Sequence, residues 1–204
     1  MKFTVQKPII LASGSPRRQE LLTLAGIPFD VQVSHAEEDI ELIEQDFGRY
    51  VEQLAVKKAS VVAENHPEAL VIGADTIVVF EGAIYPKPSS AEQAVAFLKE
   101  FSGNTHSVFT GVCLLEGGKS KLFSVETKVT FRSIDEALLH AYVQSGDPMD
   151  KAGGYGIQTA GALLVEKIDG DYLNVVGLPL SKLVELLRKE GHIRLKEGEQ
   201  FLDS

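Results

Sequence analysis

Asp75 stands inside an apolar run, Leu70-Val71-Ile72-Gly73-Ala74-Asp75-Thr76-Ile77-Val78-Val79-Phe80. An unpaired carboxylate is costly to bury. It therefore has a cationic partner, lies where a strand end surfaces, or acts in a cleft as a metal ligand or general base. Lys58 is an independent pointer. On a helix over 46–64 it falls near the centre of the apolar stripe of Phe47, Val51, Leu54, Ala55, Val61 and Val62. Lys57 falls at the stripe's edge, where its stem can snorkel to water. At Lys58 the stem either snorkels from the helix side as well, or the ammonium is buried or lines a cleft with an anionic partner. Glu37, Glu38 and Asp39 form an acidic run. Alone it reads as a solvated turn; joined with Asp75, such a carboxylate pair suits a hard divalent cation.

A second constellation is basic. In Leu11-Ala12-Ser13-Gly14-Ser15-Pro16-Arg17-Arg18 two arginines sit in the first turn of a helix, where the dipole disfavours cations. Either they point into water or an anion is expected there. Free amides, the Ser13 and Ser15 hydroxyls and two guanidinium forks would converge on phosphate, and Gly14 would admit a close backbone approach. The pattern is not a Walker A loop, since no G-x-x-x-x-G-K-[ST] occurs. Lys87 lies between Pro86 and Pro88, a stiff corner that either serves a site or merely turns the chain. The segment Ala152-Gly153-Gly154-Tyr155-Gly156-Ile157-Gln158 is either a tight turn or a cover over a flat ligand. In the second reading Tyr155 stacks, and Gln158 offers one donor and one acceptor. The histidines show no metal-ligand spacing, and His106 reads as polar support for a nearby site.

These groups need elements to position them. Residues 8–13 read as a short buried strand. Ser15 and Pro16 open a helix to about Ala25, with Leu21, Leu22, Leu24 and Ala25 inward and Gly26 as its stop. Residues 29–34 alternate as a strand. The helix from Asp46 to Glu64 carries Lys58, and a central strand over 69–80 carries Asp75. Glu81-Gly82 makes a hairpin turn. Ser89-x-x-Glu92 is a capping box for a helix through Phe101. Strands over 106–116 and 121–132 meet at Gly117-Gly118. A helix spans Ser133 to Ser145 with Ile134, Leu138 and Tyr142 inward. A glycine-dense loop follows, then a hairpin turning at Asp169-Gly170. A last helix, Leu180 to Lys189, precedes a charged tail over 191–204 that is expected to fray. Strands and helices alternate without strict β-α-β order, which points to a mixed sheet.

Composition narrows the classes. The 204 residues, 44% apolar and 24% charged, suit one soluble globular unit. A net charge of −9 with no basic stripe argues against a nucleic-acid binder. The single cysteine, Cys113, lies in an apolar run and reads as a buried inert thiol. The first apolar run, of about four or five residues, is too short for a signal h-region. No run approaches the ~18 residues of a membrane span. A cytoplasmic protein without a membrane partner is the expectation.

The segments ILASGSPRRQELL, EE at 37–38, LAVKKA at 54–59, GADT at 73–76, KP at 87–88, LKEFSGNTHSV at 98–108, DKAGGYGIQ at 150–158 and GDYLNVVGLPL at 170–180 occur in this order. Together they resemble the Maf family of nucleoside triphosphate pyrophosphatases over about residues 8–190. The resemblance implies one domain over 1–190 with an α/β, ITPase-like two-lobed fold. Such a fold has a long, mixed, strongly twisted β-sheet flanked by helices and a central cleft. It implies hydrolysis of a nucleoside triphosphate to the monophosphate and pyrophosphate with Mg²⁺ or Mn²⁺. Asp75 corresponds to the proton acceptor, with Glu38, Lys58 and Lys87 beside it as catalytic residues. Glu38 and Asp75 correspond to the metal ligands. Ser13, Arg17, Arg18, Thr76 and Gln158 correspond to substrate-binding positions. The choices Arg17, Thr76 and Gln158 are similar to the dTTP/UTP branch rather than the 7-methyl-GTP branch, with CTP and modified pyrimidine nucleotides as further candidates. Pro86 and Gly154 depart from residues frequent in the family and remove no polar group. A homodimer is also implied. The family's association with inhibition of septum formation leaves one rival, a nucleotide-sensing regulator acting through a partner.

Overall fold

The computed structural model describes residues 2–37 and 39–196. Its elements are β1 (Phe3–Val5), β2 (Ile9–Leu11), α1 (Pro16–Ala25), β3 (Asp30–Val31), α2 (Phe47–Ala63), β4 (Leu70–Phe80), β5 (Ala83–Tyr85), α3 (Ala91–Phe101), β6 (Thr105–Glu116), β7 (Lys119–Phe131), α4 (Glu136–Gln144), β8 (Val165–Asp169), α5 (Tyr172–Val176), α6 (Leu180–Lys189) and β9 (Ile193–Leu195). Short 3₁₀ turns occupy much of 147–164 between α4 and β8. The main sheet runs β3-β2-β4-β6-β7-β8, with β5 on β4. β2 is parallel to β3 and β4, and the other pairs are antiparallel. The mixed sheet expected from the element order is therefore present, flanked by helices.

β4 organises the molecule. Its side chains alternate between two apolar layers. Ile72, Ala74 and Val78 join the main core with Leu22, Leu98, Phe101 and Leu183. Val71, Ile77 and Val79 instead meet Ala55, Ala59 and Val51 of α2. Helix α2 lies close on the sheet because two strand positions carry no side chain. A Cβ on Gly73 would come within 2.2 Å of the Ala55 carbonyl oxygen, and one on Gly111 within 2.3 Å of the Val51 backbone. Gly111 is also the cross-strand partner of Asp75.

The cleft arises from a change of neighbour along one edge of β4. Parallel pairing with β2 ends at Leu11–Ile72, extended by the Ala12 amide to the Ile72 carbonyl at 2.8 Å. Antiparallel pairing with β5 begins only at Val78–Tyr85. Between them, among the described residues, no strand covers that edge. Asp75, Thr76 and Ile77 line the cleft there. Ligand crevices of open α/β sheets form where strand connections diverge in this way.

Several expectations change. Leu24 is 73% exposed and Val61 39% exposed, so neither belongs to an inner face. The helix expected from Ser133 begins at Glu136, because Asp135 caps it by accepting from the Leu138 amide. The α3 cap falls one residue later than Ser89: Ser90 accepts from the Gln93 amide, while the Gln93 side chain accepts from the Ser89 amide. The second arm of the hairpin expected to turn at Asp169-Gly170 is helix α5. Asp171 caps it, and the buried Asn174 donates to the Val108 carbonyl and the Thr127 hydroxyl, which overrides the β propensity of Tyr-Leu-Asn-Val-Val. The charged tail does not start at 191 as a frayed end. Ile193 is buried and β9 pairs antiparallel with β1. Residues 197–204 lie outside the described residues.

Candidate active-site cleft

The cleft beside β4 has a volume of about 840 Å³. Its wall includes Ser15, Arg17 and Arg18 from the start of α1, Lys58 from α2, and Asp75 and Thr76 from β4. Lys87 contributes after β5, and the 150–159 segment supplies Asp150, Lys151, Gly156, Gln158 and Thr159. Of the residues singled out from the sequence, Arg17, Arg18, Lys58, Asp75, Thr76, Lys87 and Gln158 thus line one cavity. Ser13 sits behind Arg18, and Glu38 lies outside the described residues.

Asp75 lies on the α2 face of β4 and is 8% exposed. The Lys58 ammonium donates to Asp75 Oδ1, so each of the two charges found in apolar surroundings is the other's partner. An ion pair this buried persists only with matched geometry. The backbone approach at Gly73 and Gly111 provides that geometry, because it brings α2 within reach of the β4 carboxylate. Lys57, one residue along, turns outward and pairs with Asp39 instead.

Thr76 points to the opposite face and meets Arg18. The Arg18 guanidinium donates to the Gly177 carbonyl at 2.8 Å, to Ser13 Oγ at 3.0 Å and to Thr76 Oγ1 at 3.0 Å. Thr76 Oγ1 is in turn 2.9 Å from Thr110 Oγ1. Arg18 is therefore 8% exposed and braces α1, β4 and the end of α5 against one another. The residues expected to converge on phosphate are separated by their protein contacts. Ser13 Oγ accepts from Arg18 and, at 3.3 Å, from the Ser15 amide. Ser15 occupies the N-cap position, but its side chain makes no capping bond. Arg17 is the outward member of the pair, and its Nη1 donates to Asp150 Oδ2 at 3.2 Å. A carboxylate 133 residues away thus supplies the negative charge that the helix start lacked.

Lys87 is exposed on the cleft rim and makes no ion pair among the described residues. Gln158 is also exposed to the cleft. Tyr155 does not stand free to stack on a ligand: its ring packs edge-on to Phe131 and His106, and its hydroxyl is 2.8 Å from His106 Nε2. His106 thereby supports a cleft residue, as its sequence context suggested. Burial depresses its pKa from 6.5 to about 3, so the ring is neutral at physiological pH. Cys113 is buried, and burial pushes its thiol up to about 12.

The residues that hold the 150–159 segment carry no motif of their own in the sequence. Lys151 Nζ donates to the Asp147 carbonyl at 2.7 Å, to Asp147 Oδ1 at 3.1 Å and to Asp150 Oδ1 at 2.6 Å. Burial raises the pKa of Asp150, but hydrogen bonds from Lys151 and Arg17 outweigh it and leave the carboxyl below its ordinary range. The only sequence signal was a concentration of Asp and Lys in a glycine-dense stretch.

Comparison with known proteins adds an independent line. The family described as Maf-like protein matches residues 8–190. A dTTP/UTP pyrophosphatase from Bacillus cereus (strain ATCC 10987 / NRS 248) is 49% identical over 183 residues, covering 90% of this chain and 90% of that protein. Proteins of the same name from Bacillus anthracis (strain CDC 684 / NRRL 3495) and Bacillus thuringiensis subsp. konkukian (strain 97-27) are also 49% identical, covering 90% of this chain and 95% of theirs. Among solved structures, a nucleoside-triphosphatase / dITP/XTP pyrophosphatase from Mycobacterium abscessus aligns with a TM-score of 0.38 at 13% identity. That alignment covers 62% of this chain and 75% of that one. The strand order described above stands without it.

Proposed function

This chain belongs to the Maf family of nucleoside triphosphate pyrophosphatases, and from that membership we propose that the cleft beside β4 is where it hydrolyses dTTP and UTP. The products are the nucleoside monophosphate and pyrophosphate, and the protein is a hydrolase of phosphoric anhydrides. The observation that carries the site assignment is the buried Lys58–Asp75 pair in the same cavity as Arg17, Lys87 and Gln158.

The chemistry assigns a task to each group. Water attacks the α-phosphorus while the bond from that phosphorus to the α–β bridging oxygen breaks, and pyrophosphate leaves with the bond's electron pair. Asp75 accepts the proton that water loses. Lys58 fixes the Asp75 carboxylate so that it is already placed when substrate arrives. Arg17 and Lys87 neutralise phosphate charge, Arg17 through a planar fork suited to two phosphate oxygens. Positioned cations contribute most where charge develops on the departing pyrophosphate. Arg18 acts one layer back, holding Thr76 and the start of α1. The Gln158 amide pairs a donor and an acceptor with the N3–H and an adjacent carbonyl of uracil or thymine.

We also assign a divalent cation, Mg²⁺ or Mn²⁺, to Asp75 and Glu38. Asp75 fits this role because it is an oxygen donor at the inner wall of the cleft. Among the described residues no three His, Cys, Asp or Glu side chains cluster as a metal site. That donor set suits an ion that takes one or two carboxylates and completes its shell with water and substrate phosphate. Such an ion, when bound, supplies Lewis-acid polarisation of a phosphoryl oxygen. We place the protein in the cytoplasm as a homodimer on family resemblance. Among the described residues no helix is long and apolar enough to cross a membrane.

The test is pyrophosphate release by purified protein with Mg²⁺ or Mn²⁺ across common pyrimidine and purine triphosphates. dTTP and UTP should lead the panel. Asp75→Asn should lower turnover by roughly 10²-fold or more while the far-UV spectrum is kept. Near-normal turnover in that variant removes Asp75 from the mechanism, and a purine preference overturns the substrate assignment.

A further inference from the structure

Gln158 is exposed on a segment with little regular structure, yet discrimination between bases requires its amide to stay in one orientation. Residues on both sides of it are tied to one carboxylate, Thr159 through its hydroxyl and the Gly156 amide through Tyr142. Asp147 Oδ2 accepts from the Tyr142 hydroxyl at 2.6 Å and from the Thr159 hydroxyl at 2.6 Å, while Oδ1 accepts from Lys151 at 3.1 Å. The buried Tyr142 hydroxyl then accepts from the Gly156 amide at 3.0 Å. So Gly156, two residues before Gln158, and Thr159, one after, hang on Asp147 from opposite sides.

Steric fit points the same way. A Cβ on Gly156 would lie 2.5 Å from Thr159 Oγ1 and 2.6 Å from Lys151 Cε. One on Gly161 would lie 2.7 Å from the Tyr142 hydroxyl. At Gly156 and Gly161 the chain is pressed against this polar cluster, and a methyl group there would force a shift. Charge-assisted hydrogen bonds to a partly buried carboxylate are the stronger kind, and here they hold a turn that has no helix or strand to define it. The cluster also reaches the phosphate-binding side of the cleft, since Lys151 and Arg17 share Asp150.

We propose that Asp147 is a positioning residue for nucleotide selectivity: through Tyr142, Thr159 and Lys151 it fixes the Gly156–Thr159 turn, so that the Gln158 amide meets the base in one orientation. This rests on the reading of Gln158 as the base-contacting residue. Asp147 touches neither substrate nor reacting atoms, so its loss acts on discrimination rather than on bond cleavage.

The experiment measures kcat and KM for dTTP, UTP, GTP and ATP in the wild type and in Asp147→Asn, Thr159→Val, Thr159→Ser and Gln158→Ala. Asp147→Asn and Thr159→Val should each lower the pyrimidine-to-purine ratio of kcat/KM by about tenfold. The change should come through a raised KM for dTTP and UTP with kcat nearly kept. Thr159→Ser, which retains the hydroxyl, should keep the wild-type ratio. If Asp147→Asn does not fold, the Thr159 pair decides, because that side chain is exposed. An unchanged ratio in Asp147→Asn and Thr159→Val, with Gln158→Ala collapsing it, overturns this inference and leaves the function standing. An equal fall in kcat for every substrate reduces Asp147 to scaffold and also overturns it. A wild type with no pyrimidine preference removes the premise, and the inference falls with it.

Discussion

Arg17 holds Asp150 through an exposed contact, and Asp150 is shared with the better-buried Lys151. In the proposed site a triphosphate oxygen competes with that carboxylate for the Arg17 charge, since Asp150 occupies one edge of the guanidinium. Asp150 is therefore a competitor built into the chain, and it also keeps the guanidinium over the cleft when substrate is absent. Exposed ion pairs contribute about 0.2–1 kcal/mol, so the competition is small and measurable. Asp150→Asn should lower KM for dTTP by up to about fivefold with kcat little changed, and the gain should shrink as salt rises. A higher KM in the variant would mean that aiming Arg17 matters more than freeing it. Arg18 illustrates the opposite case. Adjacent in sequence and identical in type, it is turned inward by one step around α1 and becomes a brace between Ser13, Thr76 and Gly177.

At the level of elements, the Lys58–Asp75 pair depends on how closely α2 lies on β4 and β6. Gly73 and Gly111 set that distance, because any side chain there meets the α2 backbone. Gly73→Ala or Gly111→Ala should destabilise the protein by about 3 kcal/mol through overpacking. Each should also lower kcat, since α2 can relieve the clash only by carrying Lys58 away from Asp75. Thermal melting and dTTP turnover check both effects; a loss of stability with full turnover would show that the pair tolerates the shift. The elements themselves were legible where periodicity is strong. Period 3.6 placed Lys58 on the inner stripe of α2, and the apolar run around Asp75 marked β4. What stayed hidden was of two kinds. Strand glycines signal a close approach without naming what approaches. Contacts such as Arg17 with Asp150, or Asp147 with Tyr142 and Thr159, join turns that have no periodicity at all. The Tyr172–Val176 helix is hidden for a related reason: its residues favour strands, and the Asp171 cap and the buried bonds of Asn174 decide otherwise.

For the molecule as a whole, the aromatic layer between α3, the β6–β7 ribbon and Tyr155 makes folding sensitive to pH. His106 stacks on Phe101 at 4.5 Å between ring centroids, meets Phe131 edge-on and bonds the Tyr155 hydroxyl. Burial holds its folded pKa at about 3, against 6.5 in the unfolded chain. Below pH 6.5 the unfolded state therefore takes up a proton that the folded state refuses. Stability then falls as pH drops, by up to about 1.4 kcal/mol per pH unit, until the folded ring itself protonates near pH 3. Asp147 adds to this only at lower pH. Burial raises its pKa, but hydrogen bonds from Thr159, Tyr142 and Lys151 outweigh that and hold the carboxyl below its ordinary range. Its contribution is complete above the unfolded carboxylate pKa and is lost as pH falls through the lowered folded value. The two groups separate in urea unfolding between about pH 7 and pH 5, where the histidine dominates the slope. His106→Gln, which keeps an amide for the Tyr155 hydroxyl but cannot take the proton, should flatten the dependence in that window. An equally steep slope in the variant would assign it to other groups. With the flattening, the acid sensitivity of the fold traces to the same ring that holds Tyr155 at the wall of the cleft.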